Sequence, residues 1–216
     1  MLKQWMAVVA GLSLSTLALA APVAGEDYMV LDTPVETGVE NGQIEVTEVF
    51  WYGCPHCYDL EEPLNTWVED LSEDVVFERL PATMGETWVR HAAAFFAAKQ
   101  LGILDQVHED FFDAIHQDGK KLIDEDDIAA FYSDYGVTEE DAKKALNSFG
   151  VKSQINQAHA KMRGYQLMGV PALVVEGRYV ITPSSAGSLE NMPQIASALI
   201  DQERNERSDS EQAQGE

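Results

Sequence analysis

The chain of 216 residues is poor in cysteine and in positive charge. It has two cysteines, Cys54 and Cys57, and 14 lysines and arginines against 37 aspartates and glutamates. Two cysteines three positions apart cannot staple a fold together. With no second pair they also cannot complete a four-cysteine zinc site. A net charge of −23 repels phosphates instead of neutralising them, so no nucleic acid or anionic membrane surface is expected as a partner. Long apolar runs are scarce as well. After the first twenty residues no segment approaches the ~18 uninterrupted apolar residues of a membrane span. Apolar residues as a class are not lacking: they make up 45% of the chain and aromatics 9%, enough to build the core of one ordinary domain or of a domain carrying an insertion.

The N-terminus reads as an address. One positive charge, Lys3, precedes the uncharged run Met6–Ala20, which ends in the small-residue exit Ala18-Leu19-Ala20. This is the pattern of a secretory signal peptide over 1–20, cleaved after Ala20. The competing reading is an N-terminal membrane anchor, for which the run is short. Export places the cysteine pair where disulfides persist, and in a Gram-negative bacterium that compartment is the periplasm.

Past this segment the chain divides into three stretches. In the first, 27–85, Tyr28–Leu31 reads as a short edge strand. Ile44–Tyr52 is the strongest strand in the sequence, apolar on both faces and so expected at the centre of a covered sheet. Helical spacing follows through Leu60, Leu64, Trp67, Val68 and Leu71, with Pro63 inside it. Val75–Leu80 completes a β-α-β unit with a parallel pair. The second stretch, 86–166, contains helical periodicity only, over Thr87–Gln100, Ile103–His116, Glu125–Tyr135, Glu139–Phe149 and Lys152–Gln166. Gly102, Gly119, Gly136 and Gly150 punctuate it as stops or loops, and Thr138 with Asp141 forms a variant capping box. The third, 167–202, returns to strands at Ala172–Val175 and Arg178–Ile181 around a Glu176-Gly177 turn. A last helix is expected from about Asn191 to Gln202. Residues 203–216, nearly free of apolar side chains, read as a disordered acidic tail. The fold class is therefore α/β, split around an all-helical insertion.

The chemistry converges on Cys54-Pro55-His56-Cys57, which sits where the central strand runs into a helix. There the first sulfur meets the unsatisfied N–H groups and positive dipole end of the helix, and both stabilise a thiolate. His56 adds to this. A Cys54 thiol held well below the ordinary ~8.5 is a good leaving group, so a Cys54–Cys57 disulfide is readily reduced by a substrate thiolate. Cys57, deeper on the helix, is the expected resolving thiol. A purely structural disulfide closing so short a loop would stabilise little. Covalent haem requires a histidine after the second cysteine, where Tyr58 stands. Zinc would need two further ligands from His91, His108, His116 or His159, and none is spaced as a motif. No cofactor is required.

These residues resemble the DsbA family of thiol:disulfide oxidoreductases, which have a thioredoxin fold with a helical insertion. Cys54-Pro55-His56-Cys57, Tyr58, Glu61 and Glu62, Gly169-Val170-Pro171 leading into Ala172-Leu173-Val174, and Asn191-Met192 carry the likeness, which runs from about Tyr28 to Gln202. The resemblance implies that Val170-Pro171 is a cis-proline loop facing the cysteines, with the Val170 backbone offered to an extended substrate. An ordinary trans proline opening a strand is the plain alternative. It further implies reduced exported polypeptides as substrates, a membrane reoxidant of the DsbB type linked to quinone, and a monomer. Glu48, on the same strand face as Val46 and Phe50, is expected to be poorly solvated and to relay the proton of Cys57, unless it is a solvated edge residue. Members of the family often set a lysine of the next strand beside this acid, and the best match here is Glu78, also an acid. Glu61 and Glu62 read as solvating an exposed helix turn, and the histidines of the insertion as ordinary structural residues.

Three functions compete on this basis. The first is an oxidase that donates the Cys54–Cys57 disulfide, the second an isomerase or reductase, and the third a non-catalytic binding or chaperone module. Isomerases and reductases usually need a dimerisation module, and no N-terminal one is visible in the sequence.

Overall fold

A computed structural model describes residues 21–214, so the segment read as a signal peptide lies outside it. A five-stranded mixed sheet forms the centre, in the order β1 (Met29–Val30), β5 (Tyr179–Ile181), β4 (Ala172–Val175), β2 (Ile44–Phe50) and β3 (Val75–Pro81). All seven residues of β2 are buried. Ile44 and Val46 pack against Leu60 and Leu64 of α1 (Pro55–Glu69) and against Met192, Ala196 and Leu199 of α8 (Asn191–Gln214). On the other face Val49 meets Ala172, Val174, Met162 and Tyr165. β2 and β3 are parallel and joined by α1, as the β-α-β pattern requires; β4 and β5 form an antiparallel hairpin. Its turn places Glu176 and Gly177 at φ 53° and 59°, the paired positive angles that match strand twist. A Cβ on Gly177 would collide with the Val35 carbonyl, so this turn requires glycine. This is a thioredoxin fold with a helical insertion.

The insertion holds α2 (Glu86–Leu101), α3 (Leu104–His116), α4 (Glu125–Ser133), α5 (Glu139–Leu146) and α6 (Phe149–Gly164). Its core does not stand apart. Phe95, Phe111, Phe112, Ile128 and Tyr132 belong to one cluster with Phe50, Tyr52, Cys54 and Cys57, so the insertion packs directly on the cysteine motif. Thr138 caps α5 by accepting the Asp141 N–H at 3.1 Å. α6 begins earlier than its periodicity suggested, because Ser148 accepts the Val151 N–H at 3.1 Å and draws Phe149 and Gly150 into the first turn. Gly150 is thus a helix residue and not a stop. A short helix, α7 (Pro183–Ala186), follows β5, capped by Thr182 with proline at its start.

The expected disordered tail is corrected over its described part: α8 continues to Gln214. Apolar burial does not hold this extension. Arg204 reaches Asp74 with two hydrogen bonds of 2.7 and 2.9 Å. Arg207 pairs with Glu176 at 2.5 Å and donates to the Gln43 carbonyl at 2.9 Å. Arg204→Ala is expected to lower the unfolding free energy by about 1 kcal/mol or less, and added salt to shrink the difference, in chemical denaturation. The hydrogen bond from Arg204 holds the Asp74 carboxyl at about 2. This contribution is therefore present above the ordinary carboxylate range and is lost as pH falls toward 2.

Candidate active site

The central strand delivers its last residues to the N-terminus of α1. Cys54 is the N-cap in extended conformation and Pro55 occupies the first helical position, where its missing N–H costs nothing and its fixed φ suits the helix. Gly53 is needed for close approach, since a Cβ there would overlap the Trp51 ring, itself stacked on Trp88 at 4.3 Å. Cys57 is wholly buried and Cys54 is 9% exposed. Both are free thiols. A hydrogen bond from Cys57, followed by the N–H groups of Cys57 and His56 and the charge of His56, draws the Cys54 thiol down to about 6 against the opposing effect of burial. Burial, the hydrogen bond to Cys54 and its nearby charge push Cys57 far upward. One sulfur is mostly thiolate at neutral pH and the other holds its proton.

The Val170-Pro171 bond is cis. The Cys54 sulfur lies 3.7 Å from the Val170 carbonyl oxygen, bringing the two sequence motifs together across 116 positions. Beside them lies a groove of about 580 Å³ lined by Met29, His56, Met168, Val170, Pro171 and Ser184. Exposed Met168 and the start of α7 belong to this groove. Neither was singled out in the sequence, although Thr182 before Pro183 is a legible helix start.

Glu48 is buried, and its charge is felt at Cys57. Burial and the charge of Glu61 lift its carboxyl to about 8, against the pull of Arg79. The sequence expectation about its partner is corrected by the strand register. Glu48 pairs with Arg79, whereas Glu78 lies opposite Thr47. Arg79 Nε donates to Glu48 Oε2 at 3.1 Å, and Glu78 turns to Lys99 at 3.5 Å. A cation therefore does stand beside this acid. Glu61 also departs from expectation, being buried at 5% exposure. Burial opposes its ionisation, but His108, Arg79 and Asn65 together outweigh that and lower its pKa. Glu61 Oε2 lies 3.5 Å from both Arg79 Nη2 and His108 Nε2. His108 had a sequence signal. It precedes Phe111 and Phe112 by three and four positions, which puts it on the buried face of α3.

Titration of the reduced protein by thiolate absorbance is expected to give a Cys54 midpoint near 6. Cys57→Ala should raise it more than His56→Ala, because the Cys57 hydrogen bond is the larger cause. A depressed pKa adds stability to the reduced form as pH rises from 6 toward the ordinary thiol value. That contribution is lost as pH falls through 6, a trend that denaturation at several pH values measures.

An N-capping thiolate paired with a buried thiol beside a cis-proline loop, all on a thioredoxin fold, defines a thiol–disulfide exchange protein. Comparison with known proteins narrows the class. The DSBA-like thioredoxin domain family model matches residues 60–199. The chain is 42% identical to the thiol:disulfide interchange protein DsbA of Azotobacter vinelandii over 205 residues, covering 92% of this chain and 95% of that one. It is 41% identical to the DsbA of Pseudomonas aeruginosa over 181 residues, 84% of this chain and 85% of the other. The crystal structure of Pseudomonas aeruginosa DsbA superposes with a TM-score of 0.82 at 40% identity, covering 86% of this chain and 96% of that one. DsbA from Xylella fastidiosa gives 0.81 at 34%, covering 85% and 98%. The chain belongs to the DsbA family of thiol:disulfide oxidoreductases.

Proposed function

We propose that this protein oxidises reduced polypeptides after their export, by passing them the Cys54–Cys57 disulfide. The observation that carries the reading is the placement of the two sulfurs, Cys54 at the start of α1 beside the cis Val170-Pro171 loop and Cys57 buried behind it, an arrangement that pulls Cys54 down to about 6 and pushes Cys57 up. A substrate thiolate attacks the Cys54 sulfur, the Cys54–Cys57 bond breaks, and Cys57 leaves with the electron pair. Buried Cys57 cannot stay charged cheaply, so it takes a proton, and the raised carboxyl of Glu48 is the group suited to supply it. A second substrate thiolate then attacks the substrate's own sulfur and releases Cys54 as the stabilised thiolate. The substrate dithiol has lost two electrons and the enzyme has gained them. His56 favours the thiolate, Pro55 starts the helix that carries it, and Val170 with Pro171 offers backbone and surface to an extended substrate in the groove.

The relatives' names support the exchange chemistry. The periplasm as compartment rests on the signal-like residues 1–20 and on family membership. Among the described residues no helix is long and apolar enough to cross a membrane. Reoxidation is assigned to a membrane partner of the DsbB type that hands electrons to quinone, with the protein acting as a monomer.

Trapping tests the roles of the sulfurs. Cys57→Ala is expected to accumulate mixed disulfides with exported proteins on non-reducing gels, and Cys54→Ala to accumulate none; equal trapping by both would reverse the assignment. An oxidant of this kind should also equilibrate with glutathione at a potential well above the about −270 mV of thioredoxin. Glu48→Gln should slow peptide oxidation by roughly tenfold or more while Cys54 still titrates near 6.

A further inference from the structure

Cys54 is delivered to α1 by a tight turn. Its N–H donates to the Trp51 carbonyl at 2.9 Å, which makes Trp51–Cys54 a four-residue turn with Tyr52 and Gly53 at its centre. The two common forms of such a turn differ by a flip of the central peptide, here the one joining Tyr52 to Gly53. The flipped form needs a positive φ at the third residue, which glycine adopts without penalty. Gly53 lies outside that region. Since the nearby Trp51 ring leaves room only for glycine at this place, the side chain at position 53 does nothing to prevent the flip. Another group must hold the peptide as it stands.

That group is at the end of α3. His116 Nε2 lies 2.8 Å from the Tyr52 carbonyl and is, among the described residues, its one hydrogen-bond partner. A carbonyl only accepts, so Nε2 carries the proton, in one neutral tautomer and in the imidazolium alike. The ring is itself fixed. It stacks on Tyr58 at 4.7 Å and 11°, and lies 6.1 Å from Phe112 of its own helix. Tyr58 is pinned in turn, because its hydroxyl donates to Asp113 Oδ1 at 2.7 Å and accepts from Gln117 Nε2 at 2.6 Å. Tyr52 stands just before the Gly53-Cys54 step, and Tyr58 directly follows Cys57. The last turn of α3 therefore grips the chain on both sides of Cys54-Pro55-His56-Cys57.

We infer that His116 of the helical insertion is a positioning residue for the reactive sulfur: its hydrogen bond holds the Tyr52–Gly53 peptide against the flip and so keeps Cys54 seated on the first N–H groups of α1. The seat matters because the N–H groups of His56 and Cys57 help to stabilise the Cys54 thiolate. Their effect falls off when the N-cap is free to turn away from the helix end. Whatever stabilises this thiolate stabilises the reduced protein, so the same hydrogen bond makes the Cys54–Cys57 disulfide a stronger oxidant. His116 does not line the groove and acts through the backbone of the turn. The other histidines of α2 and α3 do not reach that backbone: His108 meets the hydroxyl at the far end of the Tyr52 side chain, and His91 meets the Lys121 carbonyl. The inference deepens the reading of Cys54 as the attacked sulfur, by naming what keeps it in place.

Two measurements on the protein test it. One is the thiolate-absorbance titration of Cys54 in the reduced form. The other is the equilibrium at pH 8 between protein dithiol plus glutathione disulfide and protein disulfide plus two glutathiones. His116→Gln keeps an N–H at nearly the reach of Nε2, His116→Phe keeps a ring against Tyr58 without a donor, and His116→Leu keeps neither. His116→Gln is expected to titrate close to the wild type. His116→Phe and His116→Leu should each raise the Cys54 midpoint by about half a pH unit or more, which moves the glutathione equilibrium roughly threefold or more toward the protein disulfide. Should one donor-free variant not fold, the other decides. A ring that only filled space would give the opposite ranking, with His116→Phe close to the wild type and His116→Gln displaced. That ranking overturns the inference, as do equal shifts in all three variants or an unshifted midpoint in the donor-free ones. Trapping by Cys57→Ala answers separately for the sulfurs. If trapping succeeds and the midpoints do not move, only the role of His116 fails; if trapping fails, the reading of Cys54 fails whatever the midpoints do.

Discussion

Burial of β2 on both faces is the constraint on which the site depends. A strand with all seven residues covered cannot let Glu48 reach water, and an ionised carboxylate left alone there would cost several kcal/mol. The chain answers with Arg79 on the neighbouring strand, and burial still wins enough to hold the acid protonated at pH 7. The same strand ends at the N-terminus of α1, so it delivers Cys54 to a position where backbone N–H groups favour a thiolate. A buried, protonated carboxyl on β2 and an activated sulfur at the start of α1 thus stand six residues apart in the chain.

The insertion does more than lengthen the fold. α3 touches the motif at several points: Tyr58 donates to Asp113 at 2.7 Å and stacks on His116 at 4.7 Å, and His116 Nε2 is 2.8 Å from the Tyr52 carbonyl. Tyr52 is therefore engaged by α3 at both its carbonyl and its hydroxyl, two residues before Cys54. Because the aromatic core of the insertion is continuous with the buried cysteines, loosening it would disturb the geometry that sets the two thiol ionisations.

Charge is organised on two scales. At the surface the acid excess is locally answered by few cations, and two of these, Arg204 and Arg207, are placed where they fasten α8 to the sheet domain. Inside, a single cation, Arg79, serves two carboxyls. Such sharing lets one acid stay ionised and the other stay neutral, a division of labour set by unequal burial and by His108.

Much of the fold was legible from local patterns. β2, the Cys54-Pro55-His56-Cys57 helix start, the helical character of the insertion and the Glu176-Gly177 turn follow from periodicity, capping and turn chemistry within a few residues. The cis Val170-Pro171 loop beside the cysteines came only with the family resemblance. The partners of Glu48 were not legible, because exact register decides them: a shift of one position separates Arg79, which faces Glu48, from Glu78, which faces Thr47. The extension of α8 was missed for a related reason. It is held by ion pairs to Asp74 and Glu176, residues 130 and 31 positions away, and not by an apolar stripe. The sequence alone determined which chemistry this protein carries, since a thiolate at a helix start needs only neighbouring residues. The tertiary structure decided which charged groups stand around that chemistry, since electrostatics in a buried site depends on groups brought together from distant parts of the chain.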